Sequence, residues 1–392
     1  MNSSKLSFDD TKIAFGDKSD KELRLMHFLF STMNYPWIAD FGIWATLTAL
    51  KLRLPVKGLI KSTIFSQFCG GESLKGCEPT IQKLGESNIK SILDYSAEGE
   101  KSEAGFEANK METIRSLDFA NGSANTPIAV MKLTAFIDFE LLEKVQAGAQ
   151  LSAEETEKFQ HFEKRVEEIC ARAVAKDKCL FIDAEESWIQ HVIDRIAVEM
   201  MEKFNRDKVY IFNTYQLYKK CVLDDLKQHH SRVSEKGAHF GAKLVRGAYM
   251  EKERERAEEK GYEDPIQPNK AACDRDYDLA LKYCIDHIDN IAVCAGTHNE
   301  SSSALLAELL NASGLTKDDP RVYFAQLYGM SDNISYKLAS EGFNVAKYVP
   351  YGPVEKVMPY LMRRAEENTA MAGQTSREFA LVKRELKRRK NV

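Results

Sequence analysis

Arg363 and Arg364 stand side by side, with Glu367 four residues beyond the first. On a helix Arg363 and Glu367 share a face and can pair, while Arg364 points about 100° further round. Guanidinium groups present forked donors and stay charged at any working pH, so an adjacent pair can clamp a carboxylate. On a plain surface helix the same pair would only be solvated. Other polar and ionisable groups close short apolar runs. They are Asp94, Lys132, Asp183 with Glu185 and Glu186, Gln216, Lys243 with Arg246 and Tyr249, Thr297-His298-Asn299, Gln326-Leu327 and Tyr348. Gathered at one mouth, such groups would hold a small charged molecule. Singly, each has a plain structural role open to it: Lys132 or Asp183 as an ion-pair partner, His298 as a hydrogen-bonded histidine. No cluster of His, Cys and carboxylates has metal-ligand spacing, and no metal is expected.

The runs that carry these residues are Asn88–Tyr95, Ile128–Leu133, Cys179–Asp183, Val209–Asn213, Ala242–Arg246, Ile291–Ala295, Val322–Ala325 and Val345–Val349. They are short and rich in β-branched residues, and stretches such as Ser152–Ala175 and Asp274–Asp289, apolar on one face, lie between them. Eight β-α alternations predict an α/β fold, a (β/α)8 barrel, with the listed side chains at the carboxyl ends of its strands. A doubly wound open sheet is the alternative. Neither G-x-G-x-x-G nor G-x-x-x-x-G-K-[ST] occurs, so both usual nucleotide cradles are absent. Residues 1–87 read as a helical extension and 88–392 as the barrel. The segment Gly99–Asn125 reads as a helix and loop between the first two strands. Asp20 is the expected N-cap of a helix that follows it, Glu78 begins another, and Val354–Asn368 reads as the helix bearing the arginine pair.

The chain has 392 residues and a net charge of −4, with 44% hydrophobic and 29% charged residues. This is a soluble globular balance with no global basic field for nucleic acid. Eight cysteines occur without any C-x-x-C spacing, which speaks for reduced thiols and against zinc or dithiol chemistry. The stretch Met1–Lys18 carries Asp9, Asp10 and Asp17, unlike a secretory signal or an arginine-rich transit peptide. Phe41–Leu50 is the most apolar stretch, too short to span a bilayer; it is expected to be a buried helix.

The segments Lys243-Leu-Val-Arg-Gly-Ala-Tyr249, Tyr348-Val-Pro-Tyr-Gly-Pro353 and Tyr360-Leu-Met-Arg-Arg-Ala-Glu-Glu-Asn368 resemble signature segments of the proline dehydrogenase family. Lys132-Leu133-Thr134, Asp183-Ala184-Glu185 and Thr297-His298-Asn299 appear in that family's order. Residues 1–87, with Phe68-Cys-Gly-Gly-Glu-Ser73, are similar to the longer eukaryote-type members. The resemblance implies a (β/α)8 barrel whose last helix lies over its mouth. It implies oxidation of L-proline to Δ1-pyrroline-5-carboxylate, with FAD taking hydride from C5 at flavin N5. Arg363, Arg364 and Lys132 would hold the proline carboxylate, with Tyr249, Leu327 and Tyr348 walling the ring. Asp183 would order the arginine side of the pocket and, with Lys243, act in catalysis. Ile182, Gln216, Lys243, Val245, Gly247, Ala248, Thr297, His298 and Glu367 would contact FAD. Electrons would pass to a quinone, with peripheral contact at a membrane and no nucleic-acid partner. The location implied is the cytoplasmic face of a bacterial inner membrane or the cytoplasm, or the mitochondrion for a eukaryotic chain trimmed of its presequence.

Many bacterial members carry arginine where this chain has Lys243. Lysine keeps the charge but loses the planar fork. Three rival readings remain. In 4-hydroxyproline dehydrogenases a smaller residue replaces the eighth-strand tyrosine, so Tyr348 favours proline. A lysine-dependent aldolase barrel would use Lys132 or Lys243 as a Schiff-base nucleophile. A catalytically silent barrel would have little reason to keep every one of these residues.

Overall fold

The computed structural model of the protein describes residues 6–33, 35–52, 54–95, 102–119, 124–370 and 372–391. Eight strands form a closed barrel in chain order. They are β1 (Ile89–Tyr95), β2 (Ile128–Met131), β3 (Cys179–Ile182), β4 (Ile211–Gln216), β5 (Phe240–Val245), β6 (Ile291–Gly296), β7 (Val322–Leu327) and β8 (Val345–Tyr351). All eight expected runs are strands, and the (β/α)8 barrel replaces the open-sheet alternative. The largest shift is in β4. Asn205 Oδ1 accepts the N–H groups of Tyr210 (2.9 Å) and Ile211 (2.8 Å). The strand accordingly starts two residues late and runs on to Gln216. Parallel pairing sets Thr214 beside Lys243, Gln216 beside Val245, and Lys243 beside Cys294. The strands are buried almost throughout, as parallel strands covered by helices are.

The chain separates into two compact units, residues 99–325 and residues 1–98 with 326–392. In the first, β2 to β6 and most of β7 alternate with amphipathic helices. The longest, Ala153–Ala175, starts with a complete capping box between Ser152 and Glu155. In the second, β1 pairs with β8 from Ile89↔Val345 to Tyr95↔Tyr351. Phe30, Phe65, Phe68, Val357, Leu361 and Val382 share one apolar core there. The helix Asp20–Met33 is capped by Ser19 rather than Asp20. Ser19 Oγ accepts the Glu22 N–H (3.2 Å), and Glu22 accepts the Ser19 N–H (2.7 Å).

A second expectation fails in this unit. Phe41–Leu50 lies in a helix, Pro36–Lys51, but it is not a buried one. Trp37, Phe41 and Trp44 are 71%, 62% and 61% exposed. Apolar residues run all round this helix, so packing against one side leaves other apolar side chains in solvent.

Candidate active site

In the unit 99–325 the predicted residues lie at or just past the carboxyl ends of β2 to β6. Asp183 follows β3, and its N–H donates to the Met131 carbonyl at 2.9 Å. Its carboxylate forms an ion pair with the Lys243 ammonium. Both side chains are largely out of water, and Lys243 also lies 5.8 Å from the Phe181 ring centroid. Burying two charges is costly, and mutual attraction with good geometry offsets it. The pair therefore fixes one lysine rotamer. Ile182, one residue earlier, is fully buried.

Lys132 is half-buried where β2 ends. Its charge acts on Glu185, a residue whose role the sequence left open. Glu185 accepts the Thr134 N–H at 3.1 Å and the Thr134 hydroxyl at 2.5 Å. Burial pushes its carboxyl up to about 7, against the opposing pull of those bonds and of Lys132. Glu185 thus stands within the field of Lys132 as a carboxyl held well above its ordinary range. The signal was present in Lys132-Leu-Thr134 and Asp183-Ala-Glu185, but nothing in the spacing showed that they meet.

Gln216 ends β4 and is buried, and its Oε1 has no hydrogen-bond partner among the described residues. Such an acceptor is uncommon in native interiors and asks for a donor. A cavity of about 220 Å³ adjoins it, lined also by Gln190, Asp194, Thr214 and Lys219. Val245 ends β5 and is half-buried, and past it Gly247 and Ala248 are exposed. Gly247 has φ +136°, and a Cβ there would lie 2.3 Å from the Tyr218 ring. Only glycine lets the backbone pass at this point. Tyr249 caps the following helix and lies under Lys252, at 5.6 Å.

Arg246 turns out to be a brace. It donates to Asp274 (2.8 Å), Thr297 Oγ1 (2.8 Å) and Ser302 (3.0 Å), and it stacks 4.3 Å from the Tyr277 ring centroid. Thr297 also accepts the Asn299 N–H at 3.1 Å. The β5 and β6 ends are tied together, and the buried Thr297 and half-buried His298 are held in place.

The unit 1–98 with 326–392 carries the remaining predicted residues. Leu327 ends β7 and packs on the apolar core of that unit. Tyr348 is buried on β8, and its carbonyl accepts the Tyr328 N–H at 2.8 Å. The arginine pair lies on the helix Val354–Ala370. Arg363 is half-buried; Arg364 is buried, with its guanidinium 5.3 Å from the Tyr360 ring centroid. The Glu367 side chain lies outside the described residues. Lys347, next to Tyr348, was not singled out in the sequence. It is completely buried, bonded to Asp332 at 2.8 Å and to the Met330 carbonyl, and Asp332 also pairs with Lys18 at 3.3 Å. Burial pulls the Lys347 ammonium below its ordinary range. All eight cysteines are free.

A family model described as proline dehydrogenase matches residues 77–377. Mitochondrial proline dehydrogenase 1 of Caenorhabditis elegans is 41% identical over 244 residues, 61% of this chain and 40% of that protein. Hydroxyproline dehydrogenase of Xenopus laevis is 29% identical over 423 residues, 98% of this chain and 90% of that protein. The solved structure of proline utilization A from Bdellovibrio bacteriovorus, inactivated by N-propargylglycine, aligns with a TM-score of 0.71 at 21% identity. It covers 94% of this chain and 39% of that one, and at this identity the likeness is one of fold. The chain thus spans less than half the length of the nematode protein and of the solved structure. The barrel, the residues at its strand ends and a match over most of the chain agree: it belongs to the proline dehydrogenase family.

Proposed function

We propose that this protein is an FAD-dependent enzyme that oxidises L-proline to Δ1-pyrroline-5-carboxylate and delivers the electrons to a quinone at a bilayer surface. The observation that carries the reading is the buried Asp183–Lys243 pair, set among Lys132, Gln216, Gly247 and Thr297 at the strand ends of a family member. One feature supports a bound flavin: the buried Gln216 acceptor has no donor among the described residues. When bound, FAD supplies a two-electron acceptor for the hydride from proline C5. Lys243, Gln216, Ile182, Val245, Gly247, Ala248, Thr297, His298 and Glu367 would hold it.

Arg363, Arg364 and Lys132 would bind the substrate carboxylate, and fixing that end orients the ring carbon to be oxidised. Their positive field favours the neutral amine over the ammonium, so the nitrogen lone pair can assist hydride departure. Tyr249, Leu327 and Tyr348 would wall the ring. Asp183 would act by holding Lys243. That engagement weighs against the aldolase reading, since a Schiff-base lysine needs a free amine. We assign residues 1–87 to a helical extension and 88–392 to the catalytic barrel.

The Xenopus relative keeps 4-hydroxyproline open as a substrate, while the bulk of Tyr348 favours proline. A yellow purified protein whose flavin absorbance bleaches on adding L-proline, and more slowly with 4-hydroxyproline, is the expected result. A colourless protein that binds no added FAD would sink the proposal.

A further inference from the structure

The exposed apolar residues of this chain are concentrated. Twelve large hydrophobic side chains are exposed among the described residues, and eight of them lie between Phe28 and Leu59. Trp37, Phe41 and Trp44 recur at i, i+4 and i+7, so they form one stripe along the helix Pro36–Lys51. Phe41 and Trp44 touch, with ring centroids 5.8 Å apart. The stretch that follows adds Leu52, Leu54 and Leu59, at 65%, 50% and 66% exposure. Isolated surface hydrophobics need no explanation, but a continuous aromatic stripe marks an interaction site.

The charge of this stretch indicates the partner. Residues 28–61 contain four cations (Lys51, Arg53, Lys57, Lys61) and one acid (Asp40), a net +3 (4 − 1) in a chain of net −4. Lys57 and Lys61 make ion pairs with Glu355 and Glu72, yet remain 63% and 59% exposed. Such surface pairs hold their members weakly. Tryptophan prefers the boundary between acyl chains and headgroups, and lysines at that level attract anionic lipid. A two-fold contact between copies would set this cationic patch against itself, which costs free energy. No helix of the described residues is long and apolar enough to cross a membrane. The helix would therefore lie in the interface, not span it.

We infer that the Trp37–Phe41–Trp44 face, with its lysine fringe, docks the protein onto anionic lipid bilayers. This rests on the proposed delivery of electrons to a quinone, which it supplies with a route: a lipid-soluble acceptor becomes reachable without a transmembrane anchor.

The test uses the full flavin-loaded chain and two kinds of vesicle, phosphatidylcholine alone and phosphatidylcholine with phosphatidylglycerol. Flotation should show binding that is stronger on the anionic vesicles and weakened by salt. Trp37→Ser/Phe41→Ser/Trp44→Ser should bind vesicles about tenfold less or weaker still. Its flavin content and proline-to-dye turnover should be unchanged, so loss of docking is distinguishable from loss of the proposed chemistry. Trp188→Phe leaves Trp37 and Trp44 as the only tryptophans, and brominated lipid should quench them with the patch intact. Unquenched tryptophans, or a triple variant that binds like the wild type, overturns the proposal. So does a concentration-dependent dimer that the triple variant abolishes while vesicles capture neither protein.

Discussion

Lys243 on β5 and Asp183 beyond β3 form an ion pair that spans β4, the strand to which β3 and β5 are each hydrogen-bonded. Their side chains are 6% and 15% exposed. The pair joins two strands that are not neighbours in the sheet, so it reports on the relative position of three strand ends. Breaking one side removes a charge partner from a buried ion. Asp183→Asn is expected to destabilise the protein by about 3 kcal/mol and to lower flavin occupancy. Asp183→Asn with Lys243→Met should recover stability in a denaturant melt while turnover stays lost. If the single variant is as stable as the wild type, the pair is not the organising contact.

Arg363→Ala and Arg364→Ala should each raise the KM for proline about a hundredfold, the equivalent of one lost charge-assisted bond in a partly dry site, about 3 kcal/mol. Flavin content should be largely kept. Arg364→Lys should recover only part of the loss, because an ammonium cannot reproduce the planar fork or its stacking on Tyr360. Steady-state kinetics at saturating acceptor decides it, and unchanged KM values would remove the carboxylate-clamp reading.

Gly247→Ala places a methyl group against the Tyr218 ring and forces an unfavourable φ on a non-glycine residue. A cost of about 2 kcal/mol is expected, read as a loss of bound flavin on desalting. Adding Tyr218→Ala removes the clash but not the strained backbone, so recovery should be partial. Full recovery would assign the whole effect to the ring.

His230 packs against Phe240 and Tyr283, and its Nδ1 lies 2.8 Å from the Tyr283 hydroxyl. Burial pulls the imidazole down to about 4 from an ordinary 6.5. The unfolded chain takes up a proton first as pH falls, so stability is lost between about pH 6.5 and 4 and is retained above. The contribution is roughly 3 kcal/mol at most. His230→Gln should flatten this part of the stability-against-pH curve in urea melts, whereas an unchanged slope would assign it elsewhere.

Tyr348 is buried on β8, and its bulk is what separates the two substrate readings. Tyr348→Ser should lower kcat/KM for proline and raise it for 4-hydroxyproline, shifting their ratio by about tenfold, the scale of a modest pocket change. Parallel assays on both imino acids test this. A fall on both substrates by the same factor would mean that Tyr348 does not select between them.

The barrel was legible in the chain because eight short apolar runs, each followed by an amphipathic stretch, admit few arrangements. The stretch Ser152–Ala175 matches the helix Ala153–Ala175, whose start Ser152 and Glu155 fix with a local capping box. Strand ends were less legible. β4 is displaced by Asn205, whose side chain captures backbone donors five and six residues on, and no local rule marks that asparagine. The stretch Phe41–Leu50 reads as a buried helix because apolar residues usually seek the core. Composition does not say how many of its sides have a neighbour.

The sequence by itself determined the residue types at the strand ends, their order along the chain and hence the family. These follow from local periodicity and from motifs a few residues long. Only the tertiary structure decided which of them touch. It paired Asp183 with Lys243 across β4, made Arg246 a brace rather than a ligand, pressed Glu185 toward neutrality beside Lys132, and left Trp37, Phe41 and Trp44 in solvent. The reason is the same in each case. Burial and Coulomb interaction depend on distances between segments far apart in the chain, and chain folding sets those distances.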